Sequence, residues 1–348
     1  MKMTFRWYGE NDSIKLKYIR QIPNMYGVVT AIYDVPPGKI WPEERITALK
    51  KVVEENGLKL EVIESVPVHE DIKLGLSSRD EYIENYCENI TRLGKAGVKC
   101  ICYNFMPVFD WTRTQLDKIA FDGSSSLVYY KEQLKNMNPL SGELTLPGWD
   151  SSYSKADLQR LFEQYAQVDE NKLFDNLKYF LEAIIPCAEK SGIKMAIHPD
   201  DPPWPIFGLP RIITNENNLD RLLKLVDSPS NGLTFCTGSL GADQSNNLVN
   251  MVDKYSDMGR IHFMHVRNIK LIGDGFEETA HSAKYGSLDI LGIMKVLYKN
   301  GFDGYLRPDH GRMIWDEQGK PGYGLYDRAL GASYINGIWE TLEFCNKE

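Results

Sequence analysis

Eight short apolar runs recur along the chain, and each is followed by an amphipathic stretch with the spacing of a helix. The runs are TFRWYG (4–9), GVVTAIY (27–33), LKLEVIES (58–65), GVKCICYNF (97–105), GIKMAIHPD (192–200), GLTFCTGSL (232–240), RIHFMHVRN (260–268) and GYLRPDHG (304–311). The helical stretches between and after them include SIKLKYIRQI, PEERITALKKVVEENG with Pro42 at its start and Gly57 as its stop, and segments near 78–93, 171–191, 216–227, 245–257, 287–299 and 327–345. Strands that alternate with helices pair in parallel through right-handed crossovers. Eight such units predict a closed (β/α)8 barrel rather than an open doubly wound sheet. A length of 348 residues suits one barrel domain with insertions. No strand is followed by GxGxxG or GxxxxGK[ST], so dinucleotide and P-loop chemistry are not indicated.

Three interruptions break the rhythm. Residues 106–169 follow the fourth run and carry Phe109, Trp111, Phe121, Tyr129, Tyr130, Trp149 and Tyr153. A segment this long inside a compact domain is expected to be functional, as a lid over the barrel mouth or as a contact in a homodimer. Residues 269–286 follow the seventh run, and DDPPWPIFGLP, stiffened by four prolines, follows the fifth.

Apolar residues make up 43% of the chain and charged residues 25%, as in soluble globular enzymes. The net charge of −8 and the lack of a basic run argue against nucleic acid as a partner. The six cysteines (Cys87, Cys100, Cys102, Cys187, Cys236, Cys345) show neither a CxxC pair nor disulfide-dense spacing, which points to a reducing compartment. MKMTFRWYGEND lacks an apolar signal core, and no apolar run approaches ~18 residues, so no membrane partner and a cytoplasmic location are expected.

In a (β/α)8 barrel, the residues at the C-terminal strand ends build the active site. Here these are Tyr8, Tyr33, Glu64, Asn104, His198, Cys236, His265 and Asp309. A single strand-end His is ordinarily rim polarity, a single Cys is a small core hydrophobe and a single Asp is a helix cap. Four metal-capable side chains on four consecutive strands, His198, Cys236, His265 and Asp309, are a different matter and predict a metal site. Thiolate and imidazole suit Zn2+, Fe2+ or Co2+ better than Mg2+ or Ca2+, and the carboxylate adds tolerance for Mn2+. His310 would either move protons in the cleft or orient a ligand by hydrogen bond. Tyr8, Asn104 and Arg267 are candidate contacts for a polar substrate, with Arg113 and Lys270 in mouth-side loops. His69 is expected on a loop surface, His281 in a polar loop, and His262 out of phase with His265, facing the helices or the N-terminal end.

Several long blocks carry a resemblance: FRWYG, GVVTAIYDVPPGKIW, HPDDPPWPIFGLPRI (198–212), FCTGSLGA (235–242), HVRN (265–268), RPDHGRMIWDE (307–317) and PGYGLYDRALGA (321–332). Together they are similar to the mannonate dehydratases, within the xylose-isomerase-like barrels, over essentially the whole chain. The resemblance implies removal of water from D-mannonate to give 2-keto-3-deoxy-D-gluconate in hexuronate breakdown, with one Mn2+ or Fe2+ per active site. It implies His198, Cys236, His265 and Asp309 as ligands, and His310 and Tyr323 as the acid–base pair. Loss of water needs the C2 proton removed beside a carboxylate and a proton given to the leaving 3-hydroxyl, so two groups of different basicity are required. The assignment expected is the metal on the substrate carboxylate and 2-hydroxyl, Tyr323 as base at C2 and His310 as donor.

Two other readings compete. A metal-dependent sugar isomerase or epimerase on the same barrel would favour a carboxylate-rich site, against which Cys236 and the single strand-end Glu64 count. A non-catalytic sugar-acid-binding protein with a structural zinc would unfold when the metal is removed. An abasic-site nuclease of related fold is disfavoured by the −8 charge and by a total of only six histidines.

Overall fold

The strands expected from the eight runs close into one barrel. The computed structural model describes residues 1–140 and 153–346; Trp149 and the rest of 141–152 lie outside the described residues. The barrel strands are β1 (Lys2–Arg6), β2 (Met25–Thr30), β3 (Lys59–Glu64) and β4 (Cys100–Tyr103). After two strands of the insertion, β5 (Gln115–Ile119) and β6 (Ser125–Tyr129), the barrel continues with β7 (Lys194–Ile197), β8 (Asn231–Cys236) and β9 (Ile261–Val266). Then come β10 (Ile269–Ile272), β11 (Gly275–Glu278) and the last barrel strand β12 (Tyr305–Pro308). The barrel closes in the order β1-β12-β9-β8-β7-β4-β3-β2, with every pairing parallel.

The outer helices form where the apolar spacing places them, with local signals at their ends. Pro42 opens the helix Glu43–Glu55. Asp169 caps Glu170–Ser191 by accepting from the Lys172 N–H at 2.8 Å, and Gly192 ends it in the left-handed region at φ 65°. Cys87 and Cys187, distant in sequence, meet Sγ to Sγ at 2.6 Å between the packed helices Arg79–Lys95 and Glu170–Ser191.

The pleat decides which residues reach the mouth. Val29, Val62, Cys100, Cys102, Ala196, Phe263 and Tyr305 form one buried cluster inside the barrel. Side chains two positions further along a strand point the same way, one layer nearer the mouth. Glu64 stands two past Val62, His198 two past Ala196, His265 two past Phe263, and Arg307 and Asp309 two and four past Tyr305. An apolar plug therefore carries a polar layer on top of it.

Two interruptions that look independent in sequence combine into one element. β5 and β6, from the long insertion, join the hairpin β10–β11 in a four-stranded antiparallel sheet of order β10-β11-β6-β5. The loop after β12 is tied to the same sheet, since Ser125 and Met313 exchange backbone hydrogen bonds of 3.0 and 2.8 Å. No helix of the described residues is long and apolar enough to cross a membrane.

The histidines given bland readings separate. His69 caps the helix Glu70–Leu74, accepting from the Asp71 N–H at 3.1 Å. His281, expected in a polar loop, is instead buried against Gly331. His262 lies near the N-terminal end of β9, packed where a Cβ on Gly232 would stand. Burial, with help from Lys194 and Arg260, pushes the His262 imidazole down to about 3. Between pH 6.5 and about 3 the unfolded chain therefore binds a proton here that the folded chain does not, and this contribution to stability falls as the pH is lowered. The slope is at most about 1.4 kcal/mol per pH unit. His262→Gln is expected to lose this share of the acid sensitivity, seen as a shallower fall of urea midpoints between pH 7 and pH 4.5 than in the parent.

Candidate active site and metal centre

The C-terminal ends of β7, β8 and β9 bring three of the expected ligands together. One donor atom each from His198, Cys236 and His265 lies within 4.8 Å of the others. The His198 Nδ1–H donates to the Pro199 carbonyl at 2.7 Å. A carbonyl only accepts, so the Nε2 of a neutral ring keeps its lone pair free for a cation. Burial pushes the His198 imidazole down, which favours that neutral form. His265 is fully buried, with Arg307 Nη2 3.3 Å from its Nδ1 and Glu64 Oε2 3.4 Å from its Nε2. Cys236 accepts from the Ser239 hydroxyl at 3.1 Å and faces Asp309 Oδ2 at 3.4 Å. Two imidazoles, a buried thiol and a carboxylate in one place fit a divalent transition metal.

Asp309 meets this cluster at its edge. Arg307 donates to its Oδ1 at 2.7 Å, and Arg267 Nε lies 3.1 Å from its Oδ2. Burial would raise its carboxyl, but His310, Arg307, His265 and Arg267 together hold it well below the usual range. Glu64 belongs to a second grouping with Cys102 and His265. Its carboxylate takes a two-pronged hydrogen bond from Arg307, at 2.9 and 3.0 Å.

His310 lies between Tyr323 and Glu278, with its Nε2 also 3.8 Å from Asp309 Oδ1. Its Nε2 lies 2.9 Å from the Tyr323 hydroxyl, and its Nδ1 lies 3.1 Å from Glu278 Oε1. Trp111, from the insertion, covers the ring with centroids 4.4 Å apart. Burial pushes the imidazole down and the Tyr323 phenol well up, so the resting pair is neutral imidazole and protonated phenol. Tyr323 is placed by its backbone. Arg328 donates to the carbonyls of Tyr323 (2.6 Å), Gly324 (2.7 Å) and Arg6 (3.1 Å), clamping the loop to the last helix and the first strand.

The three expected substrate contacts divide. Tyr8 stands edge-on to Tyr323, with ring centroids 5.1 Å apart. The Asn104 amide donates to Asp110 at 3.0 Å, while its carbonyl accepts from the Met106 N–H at 3.2 Å. Arg267 departs from the expectation. It has no exposed surface, and Asp201 (2.6 Å), Glu278, Asp309 and Ser239 (3.2 Å) surround its guanidinium. It fits only because position 238 is glycine, where a Cβ would collide with the Arg267 Nε. Arg113, expected as a mouth-side cation, is buried in the same network, paired with Asp201 at 2.9 Å and Glu278 at 2.7 Å, whereas Lys270 is exposed. The sequence reading gave no role to Asp201, Glu278, Arg307 or Arg328. Asp201 and Arg307 adjoin assigned residues in HPDD and RPDHG, but nothing in DGFEETA marks Glu278 as buried.

A closed barrel with a metal-capable donor set, and an imidazole–phenol pair beside it, is the arrangement of a barrel enzyme able to hold a divalent cation and to move protons. Residues 1–348 match the family described as D-mannonate dehydratase (UxuA). "Mannonate dehydratase 2" of Halalkalibacterium halodurans is 57% identical over 343 residues, covering 98% of this chain and 99% of that protein. The solved mannonate dehydratase from Streptococcus suis serotype 2 superposes with a TM-score of 0.93 at 49% identity, covering 99% of this chain and 96% of that one. A xylose isomerase domain protein from Planctomyces limnophilus shares the fold alone, with a TM-score of 0.57 at 12% identity and 99% of each chain covered. The chain belongs to the D-mannonate dehydratase family. Its reaction is the dehydration of D-mannonate, a carbon–oxygen hydro-lyase step, and the isomerase and non-catalytic readings are set aside.

Removing Arg267 leaves Asp201, Glu278 and Asp309 short of a buried counter-charge. Arg267→Leu is expected to cost about 3–5 kcal/mol of unfolding free energy, measured by urea denaturation of the purified variant against the parent.

Proposed function

We propose that His198, Cys236, His265 and Asp309 hold one divalent cation, Mn2+ or Fe2+, and that His310 and Tyr323 carry the two proton transfers that dehydrate D-mannonate. The observation that carries this reading is the 2.9 Å contact between His310 Nε2 and the Tyr323 hydroxyl beside the donor cluster. When bound, the cation supplies Lewis-acid stabilisation for the negative charge that builds on the substrate carboxylate as the C2 proton leaves.

The chain's own groups do the rest. One member of the pair takes the C2 proton, and the other gives a proton to the departing 3-hydroxyl. After one turnover the first carries an extra proton and the second lacks one. Because the two are hydrogen-bonded to each other, a single transfer along that contact restores both. Trp111 and the buried walls keep bulk water from intervening. Tyr8 and Asn104 are offered as hydrogen-bonding contacts along the polyol, while Arg267 supports Asp309 and His310 from behind.

His310→Asn and Tyr323→Phe are each expected to lower kcat by about 10²–10⁴-fold with circular dichroism unchanged. Formation of 2-keto-3-deoxy-D-gluconate from D-mannonate, followed by NMR, is the readout. Near-full turnover in either variant would remove that residue from the pair. Chelation is expected to abolish activity with the fold retained, Mn2+ or Fe2+ to restore it, and Cys236→Ser to lower the bound metal per chain in elemental analysis. An extensively chelated enzyme that still turns over would defeat the metal assignment.

A further inference from the structure

We infer that Glu278 is a positioning residue: from the four-stranded sheet it fixes which nitrogen of His310 carries the proton, and so which nitrogen faces Tyr323. This deepens the proposed role of His310 and rests on it.

The carboxylate sits at the end of β11, in the hairpin that pairs with β6 of the insertion. Its side chain has no exposed surface. Burial would raise its carboxyl, but Arg267 and Arg113 together outweigh burial and hold it ionised. An ionised carboxylate has only acceptors to offer. The 3.1 Å contact between Glu278 Oε1 and His310 Nδ1 therefore requires the hydrogen on Nδ1. In a neutral ring, Nε2 is then a lone pair, and the Tyr323 hydroxyl at 2.9 Å donates to it.

A competitor makes this more than a description. Arg267 Nη1 lies 3.3 Å from the same Nδ1, and a guanidinium only donates. With Glu278 gone, Arg267 becomes the neighbour of Nδ1 and favours the opposite tautomer, with the hydrogen on Nε2 pointing at Tyr323. Two adjacent groups of opposite hydrogen-bonding character thus compete for one ring nitrogen, and the shorter contact belongs to the carboxylate. Arg113, from the insertion, donates to Glu278 Oε1 at 2.7 and 3.1 Å, so the insertion holds the residue that sets the tautomer.

The test is nitrogen NMR on uniformly ¹⁵N-histidine-labelled holoenzyme loaded with diamagnetic Zn2+, the His310 signals assigned by their loss in His310→Asn. In the parent, His310 is expected as the Nδ1–H form. In Glu278→Ala it is expected as the Nε2–H form, with kcat on D-mannonate in the Mn2+-loaded enzyme lowered roughly 10- to 100-fold, as is typical for residues that orient a functional imidazole. KM and bound metal should stay near parental values, because the contacts of Glu278 run to Arg113, Arg267 and His310 and not to the four donor residues. Glu278→Gln, which keeps an acceptor of the same shape, is expected to retain the Nδ1–H form and recover part of kcat; it also serves if the alanine variant does not fold. An Nε2–H ring in the parent, or an unchanged Nδ1–H ring in a folded Glu278→Ala protein, would overturn the inference. Full turnover by His310→Asn would instead refute the catalytic role of His310, and the tautomer measurement would still judge Glu278.

Discussion

The mouth of this barrel is organised by charges that have been taken out of water. Arg113, Arg267 and Arg307 are buried together with Asp201, Glu278 and Asp309, with Glu64 at the margin. Moving any one of them alone from water into such a layer would cost several kcal/mol. They persist because each has partners of opposite sign at hydrogen-bonding distance: Asp201 lies between Arg113 and Arg267, and Arg307 between Glu64 and Asp309. Such a set has few acceptable arrangements, because a shift of one member strands another. That stiffness is what a site needs if His198, Cys236, His265 and the His310–Tyr323 pair are to hold their mutual geometry.

The same layer joins parts of the chain that are far apart in sequence. Arg113 comes from the insertion, Asp201 from the proline-rich loop after β7, Arg267 from the end of β9, and Glu278 from the β10–β11 hairpin. The four-stranded sheet is thus held to the barrel through its own buried ion pairs as well as through backbone pairing. Arg328 does the corresponding work on the other side, where three backbone carbonyls fix the loop that delivers Tyr323. A barrel strand sets a side chain's direction only as far as the strand runs, so residues beyond it, such as His310 and Tyr323, depend on these ties.

Asp309 and His310, adjacent in RPDHG, show how this divides labour. Asp309 continues the inward parity of β12, four residues past Tyr305, and reaches Cys236. His310 lies beyond the last paired residue, and its direction is set by Glu278 on one side of the ring and Tyr323 on the other. One neighbour is placed by strand geometry and the other by contacts with the four-stranded sheet and the final loop.

How much of this could be read beforehand follows the range of the forces involved. The eight strands, their helices and the inward positions of His198, Cys236, His265 and Asp309 were legible, because periodicity and pleat are local and repeat along the chain. His310 and Tyr323 were legible as a pair only through the resemblance of RPDHG and PGYGLYDRALGA to a known family, since nothing local relates two residues across a loop. The burial of Arg267 was not legible, because a strand-end arginine looks the same in sequence whether it meets solvent or three buried carboxylates. Glu278 was not seen at all, because its importance comes from the pairing of β11 with β6, between segments that carry no complementary mark. By itself the sequence determined the barrel and the layer of donors at its mouth. Only the tertiary structure decided which charges are buried together, and hence how His310 is held, because the energy of a buried charge depends on partners that the chain brings close only once it has folded.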